Sequence, residues 1–496
     1  MDKIAIIEMN ELGLKLIIMN TADGGYYDIC DKLSETIKLG NCVLTDGIIP
    51  VAKINDTIST LKLFRRICKN NGVSKMVAFA KSFITEAKNH ISFFDEIYNN
   101  TSIAFTVMTK EDEIKAVYNG VINCVDVPKG VIINVEENQT HIIQYNRRTL
   151  VNICTLPYGS VNLADEGKKY PEIIENVKDK LKDVEFLGNL DSETQFVGTG
   201  STMISVGRLA KKVSHYPLDV DNNYVMETSL LNAVFDKVKD LDLDKTKKLK
   251  GISENRADSF VTGLAILKAI VDYVNINSIS ITSGGLEQGF ICGYIVPETN
   301  DKPLSDMLTH SLETIQLFYD QPNSNTRNVY DMAVILFKQL KVIHKLPRSY
   351  VKALRIAASM YDCGRRINYQ NYSNYSLEVI INSNLVGLSH KDLLLAGFAC
   401  KYQNLDNVDL SEWIKYKDIL NEEDLDAVRK LGIIVRLASE LDKSKSGNIL
   451  DVSCDILGDS IIMKTIVRND ASYEIRQGMK LATDFKKVLK KTLQII

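Results

Sequence analysis

The sequence lacks paired cysteines and long apolar runs, and each absence excludes a class of protein. Its nine cysteines lie singly between Cys30 and Cys454, with no Cys-x-x-Cys pair. This pattern argues against a disulfide framework and a zinc knuckle, and it favours reduced thiols. No stretch approaches the ~18 apolar residues of a membrane-spanning helix, and the four apolar residues before Glu8 are too few for the core of a signal peptide. We therefore expect a cytoplasmic protein with no membrane partner.

The chain also lacks a strong net charge and any sign of disorder in its composition. Its 60 basic and 63 acidic residues give a formal charge of −3, which offers no electrostatic reason to expect nucleic acid as a partner. Only nine prolines and 27 glycines occur in 496 residues, as is typical of a globular protein. A single hydrophobic core stops growing at about 250–300 residues, so we expect several domains.

A strand–turn–strand pattern occurs twice in the chain. Apolar residues from Ile4 to Met19 are interrupted by a short polar turn, and the same pattern returns from Gly130 to Tyr145. Two such openings indicate an internal duplication. Alternating helix and strand patterns follow each opening, as in a sheet covered by helices.

Two further strands run into glycine-rich turns that start helices. The first turn contains Gly198 and Gly200, and the second contains Gly284 and Gly285. Each turn places backbone N–H groups at a helix N-terminus, where the helix dipole favours an anion. The sequence therefore predicts two places that suit a phosphate.

Beyond residue 300 the pattern becomes almost entirely helical. Short strands return near the C-terminus, followed by a helix around 475–490. These changes in pattern divide the chain into four expected domains, over residues 1–126, 127–300, 301–445 and 446–496.

In this order the landmarks resemble the exopolyphosphatase and guanosine pentaphosphate phosphohydrolase (Ppx/GppA) family of the actin-like ATPase superfamily. The resemblance runs from residue 1 to about 445. It implies an α/β fold of duplicated actin-like (ribonuclease H-like) domains, then an all-α HD-like domain and a small α+β domain. It also implies a homodimer, Mg²⁺ as cofactor, and inorganic polyphosphate or a guanosine polyphosphate as ligand.

The two hairpin turns depart from the family's phosphate-binding pattern. The family's second turn reads Asp, an apolar residue and Gly-Gly-Gly-Ser-Thr-Glu, and the stretch 134–141 retains only Thr140 from that set. Glycines there let backbone N–H groups approach phosphate oxygens closely. Glu136 and Glu137 add side chains and negative charge, and one like-charge pair at ~4 Å costs about 4 kcal/mol at an effective dielectric of 20. Two interpretations are open: the turns are plain surface hairpins, or they keep part of a ligand site.

The acidic residues that the resemblance assigns to Mg²⁺ are altered as well. Glu8 stands where the family has an aspartate in the first turn, and Asn134 stands at the corresponding position of the second. Because Mg²⁺ demands near-ideal octahedral geometry, these changes weaken the expected metal site. Glu8 is its remaining candidate ligand.

One catalytic candidate is retained. Glu113, within the stretch 109–115, corresponds to the family's catalytic base, a carboxylate that activates the attacking water. An acidic first turn that stabilises its own helix explains the same residue equally well. The family's phosphate-clamping arginine corresponds to Thr85, and Lys81 offers at most a partial replacement.

The later turns match the family better than the hairpins do. The resemblance assigns ligand binding to Gly198, Gly200, Ser201, Thr202, Gly284 and Gly285, together with Thr140. Such glycines equally permit a helix to pack closely under a strand. In the HD-like domain the family's metal-binding His-Asp pair corresponds to Tyr361 and Asp362, and no histidine occurs between His344 and His390. We expect no metal in that domain.

Three functions remain as hypotheses. The first is hydrolysis of a terminal phosphoanhydride with Mg²⁺ and Glu113 as the base. The second is ligand binding or regulation by a catalytically inactive relative, a pseudoenzyme. The third is a structural subunit that pairs with an active paralogue. The family resemblance favours the first, whereas the altered residues at the site favour the second.

Overall fold

The computed structural model describes residues 1–319, 324–403 and 410–496. These residues form two compact units, residues 1–310 (unit 1) and residues 311–496 (unit 2). In the described ranges, no helix combines the length and the apolar character needed to cross a bilayer. The finer domain boundaries near 126, 300 and 446 stay predictions.

The first half of unit 1 is a mixed sheet of order β3-β2-β1-β4-β5 covered by helices. Ile4 to Met9 are all buried, and a continuous apolar run such as Ile4 to Ile7 is typical of a strand covered on both faces. The first strand pairs antiparallel with the second and parallel with the fourth. The elements are β1 (Asp2–Asn10), β2 (Gly13–Ala22), β3 (Tyr26–Thr36), α1 (Leu39–Asp46), α2 (Val51–Asn70), β4 (Lys75–Ala80), α3 (His90–Thr101), β5 (Phe105–Val107) and α4 (Lys110–Ile122).

The second half of unit 1 repeats this arrangement in a sheet of order β10-β11-β9-β6-β7-β8. Its opening strand pairs antiparallel with the next strand and parallel with β9, as β1 does with β2 and β4. The shared strand order confirms the predicted duplication. The elements are β6 (Lys129–Val135), β7 (Thr140–Asn146), β8 (Thr149–Leu156), α5 (Asn162–Asp165), α6 (Tyr170–Leu181), β9 (Gln195–Thr199), α7 (Gly200–Val213), β10 (Tyr224–Glu227), α8 (Thr228–Val238), α9 (Leu243–Lys247), α10 (Phe260–Val274), β11 (Ser278–Ile281) and α11 (Leu286–Ile295).

Helices α4 and α11 approach each other so closely that only glycines fit between them. A Cβ at Gly289 would lie 1.8 Å from the carbonyl oxygen of Ala116, and one at Gly120 would lie 2.1 Å from that of Gly285. A Cβ at Gly284 would likewise lie 2.4 Å from the carbonyl oxygen of Gly120. The second glycine turn therefore has a clear packing function, because it fixes α11 against α4.

Unit 2 is mainly helical up to residue 440 and ends in a small sheet. Its first helix, α12, includes the division between the units. The elements are α12 (Met307–Tyr319), α13 (Ser324–Gln339), α14 (Lys341–His344), α15 (Val351–Ser359), α16 (Tyr372–Ile381), α17 (His390–Lys401), α18 (Leu410–Ile414), α19 (Glu422–Glu440), β12 (Ile449–Leu457), β13 (Ser460–Val467), α20 (Ser472–Met479), α21 (Ala482–Leu489) and β14 (Thr492–Ile495).

The C-terminal segment differs from the single helix expected around 475–490. Lys490 adopts a left-handed conformation with φ 58° and ends α21. Leu493 and Ile495 are then buried in a third strand that runs parallel to β13. A Cβ at Gly478 would lie 2.8 Å from Ile495 Cδ1, so α20 packs closely on this strand. The expected single helix is therefore divided into α20 and α21.

Candidate functional site

A polar cleft of about 300 Å³ in unit 1 is lined by both hairpin turns and by both glycine turns. Its charged lining residues are equally divided between basic and acidic side chains. The basic residues are Lys15, Lys32, Lys81 and Arg256, and the acidic residues are Glu8, Glu136, Glu137 and Glu287. This balance makes the cleft unlike a typical anion site, in which cations dominate.

Lys81 is the centre of a buried ion-pair cluster at the base of the cleft. It directly follows β4, and its side chain is 6% exposed. Its Nζ donates to both carboxylate oxygens of Glu11, at 3.0 and 2.9 Å, and to Glu136 Oε2 at 2.9 Å. Glu137 Oε2 lies 3.9 Å from the same nitrogen. Three carboxylates thus share one ammonium group.

A second cation completes this cluster. Arg256 Nη2 lies 2.8 Å from Glu137 Oε1, and Arg256 Nη1 donates to the hydroxyl of Ser201. At the other side of the cleft, Glu287 on α11 contacts Lys15 at 2.6 Å and also pairs with Lys32. Each of the four cations that line the cleft therefore contacts a carboxylate from the protein itself.

The carboxylates around the ammonium group of Lys81 differ in their pKa values. Burial raises the pKa of Glu11 to about 7, because Lys81 offsets only part of the desolvation and the two neighbouring glutamates repel its charge. Burial also acts to raise the pKa of Glu137, but Arg256 and Lys81 outweigh it and lower that pKa to about 2. Against its own burial, the pKa of Lys81 lies well above its usual range because of the surrounding glutamates. Glu11 is thus the member of the cluster that takes up a proton first as the pH falls through 7.

The hairpin turns are not plain surface loops, so that interpretation is wrong. Glu11 and Glu137 are buried, and Glu136 has a side chain that is 10% exposed. The carbonyl oxygens of Glu136 and Glu137 accept hydrogen bonds from the backbone of Ser160 and Val161, both at 2.8 Å. The segment after β8 thereby holds the second turn against the cleft and turns its carboxylates inward.

The sequence suggested that these two carboxylates would face an anionic ligand, but the structure does not place them so. Their charge is directed at Lys81 and Arg256 within the protein. A glutamate side chain thus contacts each cation at a distance typical of a charge-assisted hydrogen bond.

Glu113 lies on the first turn of α4 and is 1% exposed. One of its carboxylate oxygens accepts a hydrogen bond from the backbone N–H of Ser82. Burial raises its pKa, an effect that Lys81 counteracts only in part. The helix itself is capped by Thr109 and Asp112 in a capping box, so Glu113 is not needed to stabilise the helix start.

Glu8 and Asn134 do not form a site that fits Mg²⁺. Glu8 Oε1 accepts a hydrogen bond from Asn10 at 3.0 Å, and its Oε2 is buried without a hydrogen bond. A cation would satisfy that oxygen, but Lys15 Nζ already lies 3.8 Å from it. The side-chain amide nitrogen of Asn134 donates to Glu136 at 2.8 Å, and the carboxylates of Glu136 and Glu137 are already paired with cations of the protein.

The predicted ligand-binding residues fall into two groups. Gly200, Ser201 and Gly285 line the cleft. Gly200 has φ +87°, and a Cβ there would lie 2.4 Å from Asn134 Oδ1, so this position requires glycine.

The second group serves packing and hydrogen bonding inside unit 1. Thr140 is fully buried and donates to the carbonyl of Tyr158 at 2.7 Å. A Cβ at Gly263 would lie 2.9 Å from Thr202, and one at Gly198 would lie 2.3 Å from Met203. Gly284 serves the contact between α4 and α11 described above.

In unit 2, the position of the family's His-Asp pair is occupied by an aromatic and charged cluster. Asp362 lies 3.1 Å from Arg365 Nη1. The guanidinium group of Arg365 lies over the rings of Tyr372, Tyr369 and Tyr361, at 4.8, 5.8 and 6.0 Å from their centroids. Such cation–π contacts stabilise the local packing. Asp362 has an arginine as its partner.

Sequence reasoning missed Glu11 and gave too little weight to Lys81. Both lie just beyond the ends of β1 and β4, which are adjacent parallel strands. The carboxyl ends of parallel strands meet at one edge of a sheet, so opposite charges there are expected to pair. That was the signal available in the sequence.

Comparison with known proteins supplies the family. A model described as the Ppx/GppA phosphatase family matches residues 17–296, and a model of Ppx/GppA phosphatase domain III matches residues 309–476. The chain belongs to the Ppx/GppA phosphatase family. Membership agrees with the duplicated fold of unit 1.

Individual relatives in this family are distant. The chain is 30% identical over 152 residues to the guanosine-5'-triphosphate,3'-diphosphate pyrophosphatase of Aeromonas salmonicida, a match that spans only 30% of each protein. It is 21% identical over 296 residues to a putative exopolyphosphatase of Haemophilus influenzae, covering 58% of this chain and 90% of that one.

Solved structures share the fold at low sequence identity. The Aquifex aeolicus member of the Ppx/GppA family superposes with a TM-score of 0.52 at 20% identity, covering 60% of this chain and 98% of that chain. An exopolyphosphatase from Cytophaga hutchinsonii gives a TM-score of 0.54 at 17% identity, covering 59% and 98%. These likenesses show that about 60% of this chain has the fold of the Ppx/GppA proteins.

Proposed function

We propose that this chain is a pseudoenzyme of the Ppx/GppA family. It binds a ligand or a partner protein and does not hydrolyse phosphoanhydrides. The observation that carries the proposal is that Glu136 and Glu137 contact Lys81 and Arg256 at 2.9 and 2.8 Å. In this arrangement the protein's own carboxylates take the place that phosphate oxygens take beside cations.

The charge of the cleft supports the proposal. A polyphosphate that enters must either displace the two glutamates from their cations or lie beside them as a like charge. At ~4 Å and an effective dielectric of 20, each such repulsion costs about 4 kcal/mol. Displacement leaves buried carboxylates without a partner, which costs about 3–5 kcal/mol for a buried pair. Either route opposes the binding of a polyanion.

The state of the expected base supports it as well. One carboxylate oxygen of Glu113 accepts a hydrogen bond from the backbone N–H of Ser82, and the residue is 1% exposed. A general base must lie within hydrogen-bond reach of the attacking water, and burial and the Ser82 contact limit the access of water to this carboxylate. The donor set around Glu8 also fits Mg²⁺ poorly, so the proposal contains no step through a metal.

Hydrolysis of a phosphoanhydride is the competing function, because the names of several relatives state it. The test is phosphate release from inorganic polyphosphate and from guanosine 5'-triphosphate 3'-diphosphate in Mg²⁺, with an active relative as positive control. We expect the wild type and Glu113→Gln to give the same background rate. Wild-type turnover that Glu113→Gln abolishes would overturn the proposal, and this comparison also separates true activity from contamination.

Two further expectations from the family and the cysteine pattern belong to this proposal: a homodimer and a cytoplasmic location. The mass of one chain is 55.7 kDa. Light scattering of the purified full-length chain tests the dimer, for which twice that mass is expected and the single-chain mass counts against it. Fractionation of the native host tests the location.

A further inference from the structure

The two halves of unit 1 are joined by apolar packing of helices α4 and α11. Helix α11 packs on the first sheet, where Ile291 belongs to one buried cluster with Ile4 and Ile6. Helix α4 packs on the second sheet, where Val117 belongs to a cluster with Ile132. Because α4 and α11 also pack closely on each other, the halves stay joined at these helices even when the cleft between the two sheets widens.

Lys81 makes a buried polar contact across the cleft. It directly follows β4 in the first half, whereas Glu136 and Glu137 directly follow β6 in the second half. Its Nζ lies 2.9 Å from Glu136 Oε2 and 3.9 Å from Glu137 Oε2. All three side chains are at most 11% exposed, so this contact is little screened by water.

Contacts at the rim of the cleft are longer and more exposed. Lys38 Nζ lies 3.9 Å from Asp258 Oδ2, and both side chains are more than half exposed. Asn255 Nδ2 donates to Thr36 Oγ1 at 3.4 Å. Exposed pairs of this kind contribute little to stability, so the buried contact of Lys81 is the stronger restraint on the cleft.

Glu11 competes with the second turn for the same ammonium group. It lies in the first half, just after β1, and its two carboxylate oxygens accept hydrogen bonds from Lys81 Nζ at 3.0 and 2.9 Å. As a carboxylate it also repels Glu136 and Glu137. A proton on Glu11 removes this repulsion and leaves the charge of Lys81 to the two glutamates of the second turn.

We propose that Lys81, Glu136 and Glu137 form a latch that holds the cleft of unit 1 closed, and that loss of a proton from Glu11 releases it. The inference rests on the proposed function only in that the cleft is the binding site to which the latch controls access. Arg256 stays paired with Glu137 when the latch opens, since both belong to the second half.

The charged groups that face Glu11 are the three members of the latch. Helix α1 packs on Glu11 through Gly40, whose backbone N–H donates to the carbonyl oxygen of Glu11 at 2.8 Å and which has no side chain. Other ionisable groups act on the latch members: Glu113 on Lys81, His141 on Glu136 and Arg256 on Glu137. A variant of Glu11 itself is therefore needed to assign any pH dependence to this residue.

The latch has a defined pH dependence. In the closed cleft, burial and the two neighbouring glutamates raise the pKa of Glu11 from 4.5 to about 7. Opening separates Glu11 from those glutamates and admits water, which returns its pKa toward 4.5. The closed form thus binds the proton more tightly, so closure is favoured at low pH and is lost as the pH rises to 7. The ratio of open to closed protein is expected to rise roughly fortyfold between pH 5 and pH 7 and to change little above about pH 8.

Pulsed electron resonance between two spin labels measures the opening of the cleft. Azide-bearing amino acids at Glu35 and Glu254 accept the labels, because the nine native cysteines exclude thiol labelling. Both positions are exposed, and they lie next to Thr36 and Asn255 on opposite sides of the rim. We expect one short distance at pH 5 and a second, longer distance whose share increases up to pH 7.

Three variants assign this change to the latch. Glu11→Gln is neutral at every pH and is expected to keep the short distance from pH 5 to pH 8. Glu136→Gln combined with Glu137→Gln is expected to show the longer distance already at pH 5. Glu86→Gln is the matched control, because Glu86 is an exposed glutamate outside the cleft, and it is expected to keep the wild-type pH profile.

The proposal is overturned if the wild type gives the same distances at pH 5 and pH 8. It is also overturned if Glu11→Gln keeps the wild-type pH dependence, or if the double variant stays closed at every pH. Phosphate release tests the proposed function separately, so the latch can fail this test while the pseudoenzyme proposal holds.

Discussion

Replacement of Lys81 by methionine tests the ion-pair cluster at the base of the cleft. The ammonium group of Lys81 contacts Glu11 and Glu136 at 2.9 Å each, and its side chain is 6% exposed. Removal of one partner from a buried ion pair costs about 3–5 kcal/mol, because the remaining charges stay buried without compensation. We therefore expect Lys81→Met to lower the free energy of unfolding of unit 1 by about 3–5 kcal/mol.

This loss has a defined pH dependence. Without the ammonium group, the pKa values of Glu11 and Glu136 in the folded state rise, so the folded variant binds protons more tightly than the unfolded chain. The stability that these protons contribute is present at low pH and is lost as the pH rises through the raised pKa values. The deficit relative to the wild type is consequently larger at pH 8 than at pH 5.

Urea unfolding, monitored through hydrogen–deuterium exchange in β1 and β6, measures the free energy of unfolding of unit 1. The sole tryptophan, Trp413, lies in unit 2 and gives an independent fluorescence signal for that unit. Lys110→Met is the matched control, since Lys110 is exposed and contacts Glu86 at 3.4 Å on the surface, where an ion pair contributes about 0–1 kcal/mol. The reasoning is refuted if Lys81→Met is as stable as Lys110→Met at pH 8.

Two further predictions concern the cluster and the helix contact. In the wild type the pKa of Glu11 rises from an ordinary 4.5 to about 7, so its contribution to folding is present below pH 4.5 and is lost as the pH rises to 7. At about 1.4 kcal/mol per pKa unit this contribution is about 3 kcal/mol. Glu11→Gln is expected to remove this pH-dependent contribution. Urea midpoints that change in parallel for the two proteins between pH 4.5 and 8 would contradict this. Gly289→Ala places a Cβ 1.8 Å from the carbonyl oxygen of Ala116 and is expected to cost about 2 kcal/mol or more, measured by thermal unfolding. Gly188→Ala is its control, because nothing lies within 4 Å of a Cβ there, and equal melting temperatures would count against the contact.

The duplicated sheets were predictable because their signals are local. Strand β1 and its counterpart β6 each follow an apolar run into a short turn, and such periodicity marks secondary structure without tertiary knowledge. The edge strand β10 and the final strand β14 were not found. Each has only four residues, and it becomes a strand through pairing with β11 and β13, respectively.

The site was predictable in its residues but not in their partners. Glu136 and Glu137 were recognised as unusual from their position in the turn, yet the sequence does not show which cation each one contacts. Lys81 and Arg256 come from distant parts of the chain, and burial decides that the carboxylates turn inward. The pKa difference between Glu11 and Glu137 depends on the same geometry, because only one of them also has Arg256 beside it.

The most direct test of the account is whether removal of the turn's negative charge restores an anion site in the cleft. Tripolyphosphate is titrated calorimetrically into the variant Glu136→Gln, Glu137→Gln and, in parallel, into the wild type. We predict that the variant binds one more tripolyphosphate per chain than the wild type does, and that adding Arg256→Gln weakens this additional site. No binding after both charges are removed, or equal binding with the glutamates in place, would contradict the claim that these carboxylates occupy the phosphate position.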